Sequence, residues 1–443
     1  MGRRGGGAAP PAWRGGGAGT LPFPERGADP ADRADGAALT TAPRPAARRP
    51  AQGRASRPSP GRGVPVPTVG VEEEFLLVVP GAGRAVPYGP EVIGRAAGRF
   101  APGRIQAELF PTQVETASVP CTALPDLRAD LARLRRGIAA AAREEGCLPV
   151  ACGTAVLAAA AEVDVTDDPR YRRMVHRFGP IARGQAEGVC GLHVHVGIED
   201  RDEAVQVGNG LRPWLPVLEA LAANSPFRHG LDAGYASTRA LVWGRWPGTG
   251  PAPLFASAKA YDDLVDALVD SGMLLDRRMV YWHARLSERY PTVEVRVADA
   301  NDDLDTVVLV AALVRSLCAT LLAEVRAGRT APAVPGELLR AAHWRAARDG
   351  LAGLGLDPLA CRLRPAVDLL EGLVRRARPG LEAAGDHRAV AALLAGVLRR
   401  GGGAVRQRAA FDRRGDLRDV VRALAESTDA TEPADGTEAA AGG

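Results

Sequence analysis

The chain has 443 residues, 46% of them hydrophobic and 24% charged, a globular composition that excludes collagen-like, wholly disordered and disulfide-scaffold classes. Its 56 basic and 52 acidic residues leave a formal net charge of +4, too weak a basic field to make nucleic acid the expected partner. A chain of this length buries a full core without a staple, so any metal it holds is there for chemistry.

Residues 1–67 mix Gly, Pro, Ala and Arg without apolar periodicity. Such a segment buries too little to offset its ordering entropy and reads as a disordered extension. It contains no apolar stretch of signal-peptide length. The β-branched and aromatic run from Thr68 to Val78, closed by Pro80-Gly81, predicts a strand. Thr122 through Glu145 predicts a helix: Leu124, Leu127, Leu131, Leu134 and Ile138 recur at helical spacing, Thr122 and Asp126 are start signals, and Gly146 stops it. Leu192–Ile198 and Thr292–Val297 alternate as strands, and Leu304–Val325 returns to a helical period. From about residue 337 the pattern is helical, punctuated by Gly and Pro, and 427–443 reads as a second disordered tail. The folded part is then 68–426. Alternating strands favour an antiparallel sheet with one wet face. No segment is expected to approach the about 18 apolar residues of a membrane span. Six dispersed cysteines, at 121, 147, 152, 190, 318 and 361, read as buried, reduced thiols of a cytoplasmic protein.

The wet face is where chemistry is expected. In Val71-Glu72-Glu73-Glu74-Phe75, Glu72 and Glu74 point to one side, and Glu73 joins the apolar side as the odd one out. Leu192-His193-Val194-His195-Val196 puts two imidazoles on one face, and Val293-Glu294-Val295-Arg296-Val297 does the same for Glu294 and Arg296. Glu115 has a strand-like place beside Val114, and Glu108 precedes the turn-like Pro111. Taken singly, these segments read equally as structural histidines, a salt-bridge ladder or a charged edge strand. Together, carboxylates on one face repel unless cations sit between them, and an oxygen-dominated ligand set suits Mg²⁺ or Mn²⁺ better than zinc. Arg239, Arg245, Arg285 and Arg296 lie in segments rich in Trp and Tyr, where guanidinium forks clamp phosphate or carboxylate. The only lysine, Lys259, follows no glycine run, which removes the P-loop and leaves ATP chemistry to arginine and metal. There is no H-E-x-x-H and no G-x-S-x-G, and only an incomplete G-x-G-x-x-G at Gly81–Val86.

Six segments in order, Gly70–Phe75, the Glu115 segment, Tyr171-Arg172-Arg173 with Phe178-Gly179, Gly191–Gly197, Ser225-Pro226-Phe227 and Pro291–Val297, resemble the glutamate-cysteine ligase type 2 family. The resemblance runs from about 68 to 425 and marks 68–426 as a carboxylate-amine ligase catalytic domain. It implies an α+β fold with a glutamine-synthetase-like antiparallel β-sheet and helices packed on one face. The implied reaction is ATP-dependent: the γ-carboxylate of glutamate attacks the γ-phosphate of ATP, and the amine of cysteine, or another amine, captures the γ-glutamyl phosphate. It further implies Mg²⁺ or Mn²⁺ held by Glu72, Glu74, Glu115 and Glu294 with His193 or His195. Catalytic roles fall to Glu294 and Arg296, and ATP or a substrate carboxylate to Arg239, Arg245, Arg285 and Arg296. Expected partners are these small molecules, without nucleic acid or membrane, and a homodimer is left open. Where relatives commonly carry Gly-Thr-His-Pro this chain has Gly153-Thr154-Ala155-Val156, and where Trp-Asp is usual it has Trp282-His283. Both departures are expected near the cleft and bear on the acceptor amine, so weak activity is expected. Two alternatives stay open: a catalytically degenerate nucleotide-binding relative, and a zinc hydrolase built on His193, His195 and a glutamate.

Overall fold

The β-branched run at the start of the folded part forms β1 (Val69–Val78), the central strand of a computed structural model that describes residues 64–183 and 188–430. Most of the expected extension, 1–63, and of the expected tail, 431–443, lies outside the described residues. In chain order β1 is followed by α1 (Gly89–Ala96), β2 (Ile105–Ala107), β3 (Gln113–Ala117), α2 (Leu124–Glu144), β4 (Leu148–Val150), α3 (Pro169–Phe178), α4 (Pro180–Arg183) and β5 (Gly191–Gly197). Then come α5 (Arg201–Leu211), α6 (Leu215–Ala222), a small hairpin of β6 (Phe227–Arg228) and β7 (Leu231–Asp232), α7 (Thr238–Trp243), α8 (Ala258–Asp270), β8 (Ala284–Leu286), β9 (Thr292–Asp299) and α9 (Leu304–Arg326). The chain continues through α10 (Gly336–Asp349), β10 (Leu354–Asp357), β11 (Arg362–Pro365), α11 (Ala366–Ala383), α12 (His387–Arg400), α13 (Gly403–Asp412) and α14 (Leu417–Asp429). The last helix runs three residues past position 426, and Thr428 is buried in it.

The main sheet has seven strands in the order β2-β3-β1-β5-β9-β8, with β4 also on β1. Every pairing in it is antiparallel. One edge of β1 is shared: β5 pairs with its first half and β4 with Leu76–Val78. Val71, Leu192, Val194, Val196, Val293 and Val295 form a common core with Leu127 and Leu131 of α2, with α5 and α6, and with α9. The helices therefore cover one face, as expected, and the opposite face is free to be polar.

α9 corrects one expectation. It is 23 residues long with a mean hydropathy of 2.2, so a segment of spanning length and apolarity does exist. Its best window is 94% buried inside the protein, and a helix surrounded by α2, α5, α11 and α12 is apolar all round for that reason. The α2 stripe is buried as read, but no side chain caps its start, where Pro125 sits in the first turn after Ala123. The stretch after 337 is not wholly helical: Gly350, at φ +55°, ends α10, and the β10–β11 hairpin follows. Its turn is held by Asp357 Oδ1, which accepts from the amides of Leu359 and Ala360 at 3.0 Å each. Five cysteines are buried and free as expected, whereas Cys361, on this hairpin, is exposed.

Glu73 acquires its explanation beneath the sheet. It is buried against Arg135 of α2, at 2.5 Å, and Arg135 also donates to the carbonyls of Asp302 and Asn301 at 2.7 and 2.6 Å. A charge on the apolar face is tolerated because another charge and two carbonyls saturate it.

Candidate active site

Side chains alternate along a strand, so the uncovered face collects Glu72 and Glu74 from β1, Glu115 from β3, His193 and His195 from β5, and Glu294 and Arg296 from β9. Register brings them together in pairs. Glu74 faces Glu115, Glu72 faces His193, His195 faces Glu294, and Glu294 faces Arg285 of β8. Glu72 Oε2 lies 3.3 Å from His193 Nδ1 and 3.4 Å from His195 Nε2, and His193 Nε2 lies 3.7 Å from Glu74 Oε1. Ligand atoms of Glu72, His193 and Glu294 all fall within 4.8 Å of one another. These side chains line an open cleft of about 1150 Å³, with Glu108 at its side and Trp243 and Tyr281 in its wall.

Each carboxylate is tuned by its neighbours. Burial raises the Glu72 carboxyl, but the hydrogen bonds and charges of His193 and His195 outweigh it and hold the group far below the usual range. Burial likewise opposes ionisation of Glu294, and Arg285 and Arg296 reverse it. Glu74 is pushed up to about 8, first by burial and then by Glu108. Glu115 goes well above its usual value through burial and the charges of Glu72, Glu108 and Glu74. His193 is brought down to about 4 by burial and Arg296, while His195 is raised because Glu72 and Glu294 more than offset its burial.

The donor set fits a divalent cation. His193 Nε2 and His195 Nε2 are buried with no closer partner than the carboxylates of Glu74 and Glu72, at 3.7 and 3.4 Å, and the Thr292 hydroxyl holds the other His195 nitrogen at 2.9 Å, so Nε2 is the atom offered to the cleft. The cleft lining contains Glu72, Glu74, Glu108, Glu115 and Glu294 beside two imidazoles. Buried carboxylates that repel one another, with ring nitrogens among them, make an oxygen-rich donor set of the kind that suits a divalent cation.

The arginines divide. Arg296 pairs with Glu294, with its guanidinium 5.6 Å from the Trp243 ring and 5.9 Å from Tyr281. Arg239 is buried with its guanidinium 5.7 Å from the same Trp243 ring. Gly191 makes room for it, since a Cβ there would fall 2.4 Å from Arg239 Nη2. Arg285 is committed within the protein. It grips Glu294 with Nε and Nη2 at 2.8 and 3.1 Å, and its Nη1 donates to the carbonyls of Arg278 and Val280. Arg245 is absent from the cleft lining and lies on a neighbouring cavity with His283. Ala155 is buried in an apolar cluster with Val156, Cys152 and Phe227 and is absent from the cleft lining. Sequence reading passed over Arg170, Arg278 and Arg289, which also line the cleft; they lie in loops or a helix start, where no period marks a facing direction.

The fold and the family match are those of carboxylate–amine ligases. The chain matches the model of glutamate-cysteine ligase family 2 over residues 68–423 and belongs to that family. A relative from Mycobacterium sp. (strain KMS), provisionally named glutamate–cysteine ligase 2-2, is 47% identical over 82% of this chain and 98% of its own. One from Nocardia farcinica, provisionally named glutamate–cysteine ligase 2-1, is 47% identical over 82% and 93%. Among solved structures, the glutamate–cysteine ligase of Francisella tularensis in complex with AMP is matched at a TM-score of 0.63 and 14% identity, over 84% of this chain and 91% of that one. A bifunctional glutathione synthetase from Pasteurella multocida is matched at 0.62 and 17%, over 82% of this chain; the chain spans 52% of that enzyme. At such identities the two likenesses speak for the fold alone.

Proposed function

We propose that this protein joins glutamate to an amine at the expense of ATP, through a γ-glutamyl phosphate, with cysteine as the first acceptor to test. The observation that carries the reading is the convergence of Glu72, His193 and Glu294 ligand atoms within 4.8 Å, next to Arg296. Nucleotide use is supported by the AMP complex of the Francisella enzyme, which shares the fold.

Glu72, Glu74, Glu115 and Glu294 with His193 or His195 would hold Mg²⁺ or Mn²⁺, which would supply charge neutralisation for phosphoryl transfer. Arg296 stabilises charge on the transferring phosphoryl group, and it does so as a fixed cation because Glu294, Trp243 and Tyr281 restrain it. Arg285 is a positioning residue for Glu294, and Arg239 remains a candidate to hold ATP or the substrate carboxylate. The five carboxylates of the cleft favour a hard cation over the zinc of a hydrolase.

The test is product mass spectrometry of ATP, Mg²⁺ and glutamate incubated with a panel of amines. Turnover that needs all three substrates supports the ligase. ADP release from every mixture regardless of amine, or activity without nucleotide in a zinc-loaded protein, sinks it.

A further inference from the structure

A second cavity, of about 960 Å³, adjoins the cleft and shares Arg239, Trp243 and Arg296 with it. Its wall carries a chain of titratable groups that the phosphoryl-transfer reading does not use. His283 Nδ1 meets His343 Nε2 at 2.9 Å, and His343 Nδ1 meets Glu219 Oε2. Glu219 and His343 are buried, at 3% and 6% exposure. His283 is fixed against Arg296: its carbonyl accepts from the Arg296 amide at 2.9 Å, and its own amide donates to Gly250. Glu219 Oε1 and Arg239 Nε are buried without a partner. The exposed Arg245 and Arg340, the latter 3.3 Å from Glu337, also line this cavity, so its lining sets four guanidinium groups against one carboxylate and the space favours an anionic group.

Resting on the ligase reading of the first cleft, we propose that this cavity seats an acceptor amine bearing an anionic group, and that the His283–His343–Glu219 chain receives the proton the amine sheds. The amine nitrogen bonds to the acyl carbon, and the acyl carbon–oxygen bond to phosphate breaks, the phosphate keeping the electron pair. An ammonium nitrogen loses two protons on becoming an amide. One leaves with phosphate as HPO₄²⁻. The other enters at His283 Nε2 while the His283 Nδ1 proton passes to His343 Nε2 and the His343 Nδ1 proton passes to Glu219. Both imidazoles stay neutral throughout, in keeping with burial, which lowers them; the relay runs from the ionised form of Glu219, and because burial raises that carboxyl, amide formation gains with rising pH. His283 is the catalytic residue; His343 and Glu219 position and drain it.

The full-length protein is assayed with ATP, Mg²⁺ and glutamate against two acceptors: cysteine, and hydroxylamine, which is largely unprotonated at neutral pH and carries no anionic group. The reading is the ratio of amide to hydroxamate, in which a loss of folded protein cancels. His283→Gln is expected to lower that ratio about 100-fold, the usual worth of a positioned base, and Glu219→Gln to lower it and flatten the pH profile of amide formation. Arg340→Ala, at an exposed position, is expected to raise KM for cysteine relative to its decarboxylated counterpart. An unchanged ratio in His283→Gln, or equal KM changes for the two amines in Arg340→Ala, overturns the proposal. Absence of hydroxamate from the wild-type protein instead overturns the ligase reading beneath it.

Discussion

Glu74 and Glu115 stand directly opposite each other on β1 and β3, two enclosed carboxylates on the same face of the sheet. Glu74 is 8% exposed and takes the Gly191 amide at 2.6 Å; Glu115 is crowded by Glu72 and Glu108 as well. Strand register alone forces this proximity, and its cost sets how the protein responds to pH and to cations.

Without divalent cations, stability is expected to fall as pH rises above 6.5; below that value His193, His283 and His343, which burial lowers, act with the opposite sign. The folded Glu74 carboxyl titrates near 8 instead of 4.5, so between those values the folded state binds more protons than the unfolded one and the slope is negative. Glu115, raised by burial and by the same neighbouring carboxylates, adds to the slope in the same direction. Glu72 and Glu294, held low, are ionised throughout this window and add no slope. Melting curves in EDTA from about pH 6.5 to 8.5 should show the decline, and the Mg²⁺-induced rise in Tm should grow over the same range. A Mg²⁺ shift independent of pH speaks against ion binding at these carboxylates.

Arg285→Lys should lower kcat by roughly tenfold or more while leaving the KM for ATP little changed, because a lysine cannot reproduce the bidentate grip on Glu294. A large rise in the KM for ATP with kcat intact would restore Arg285 as a nucleotide ligand. Steady-state kinetics on the purified variant separates the two.

Glu294→Gln should abolish turnover and also destabilise the fold, since it leaves Arg285 and Arg296 as buried cations without their shared carboxylate. The stability loss is expected at about 3–5 kcal/mol, read from urea unfolding beside the assay. Full activity in a folded variant would remove Glu294 from the catalytic set.

Gly191→Ala places a methyl group 2.4 Å from Arg239 Nη2 and 3.0 Å from His193 Nε2. Displacing side chains at the cleft by about 1 Å costs roughly 100-fold in rate, so activity should collapse with only a modest change in Tm. Wild-type kinetics in this variant would show that Arg239 plays no part near the reacting groups.

Arg135→Met should cost about 3–5 kcal/mol because it strands Glu73, and the paired change Glu73→Leu with Arg135→Met should recover most of the loss. Unfolding curves of the two variants and the double variant form the test. A double variant as unstable as the single would mean that the ion pair specifies the helix–sheet packing and is not replaceable by apolar contact.

The sequence by itself determined the strands and the side each residue faces. Period-two alternation at 71–75, 192–196 and 293–297 separates apolar from chemical positions through backbone geometry alone, and the valine partners of those positions are the core that α9 covers. It also flagged Glu73 as out of place, without its partner, because Arg135 lies 62 residues away and long-range pairing leaves no local mark. What only the tertiary structure decided is which residues meet. Register, not spacing, set Glu74 against Glu115 and His195 against Glu294. Packing turned Arg285 inward to serve Glu294, carried Arg245 to a different cavity, and joined His283 to His343 across 60 residues and His343 to Glu219 across 124. Alternation tells a side chain which face to occupy; only the folded chain's excluded volume and paired charges choose its neighbours.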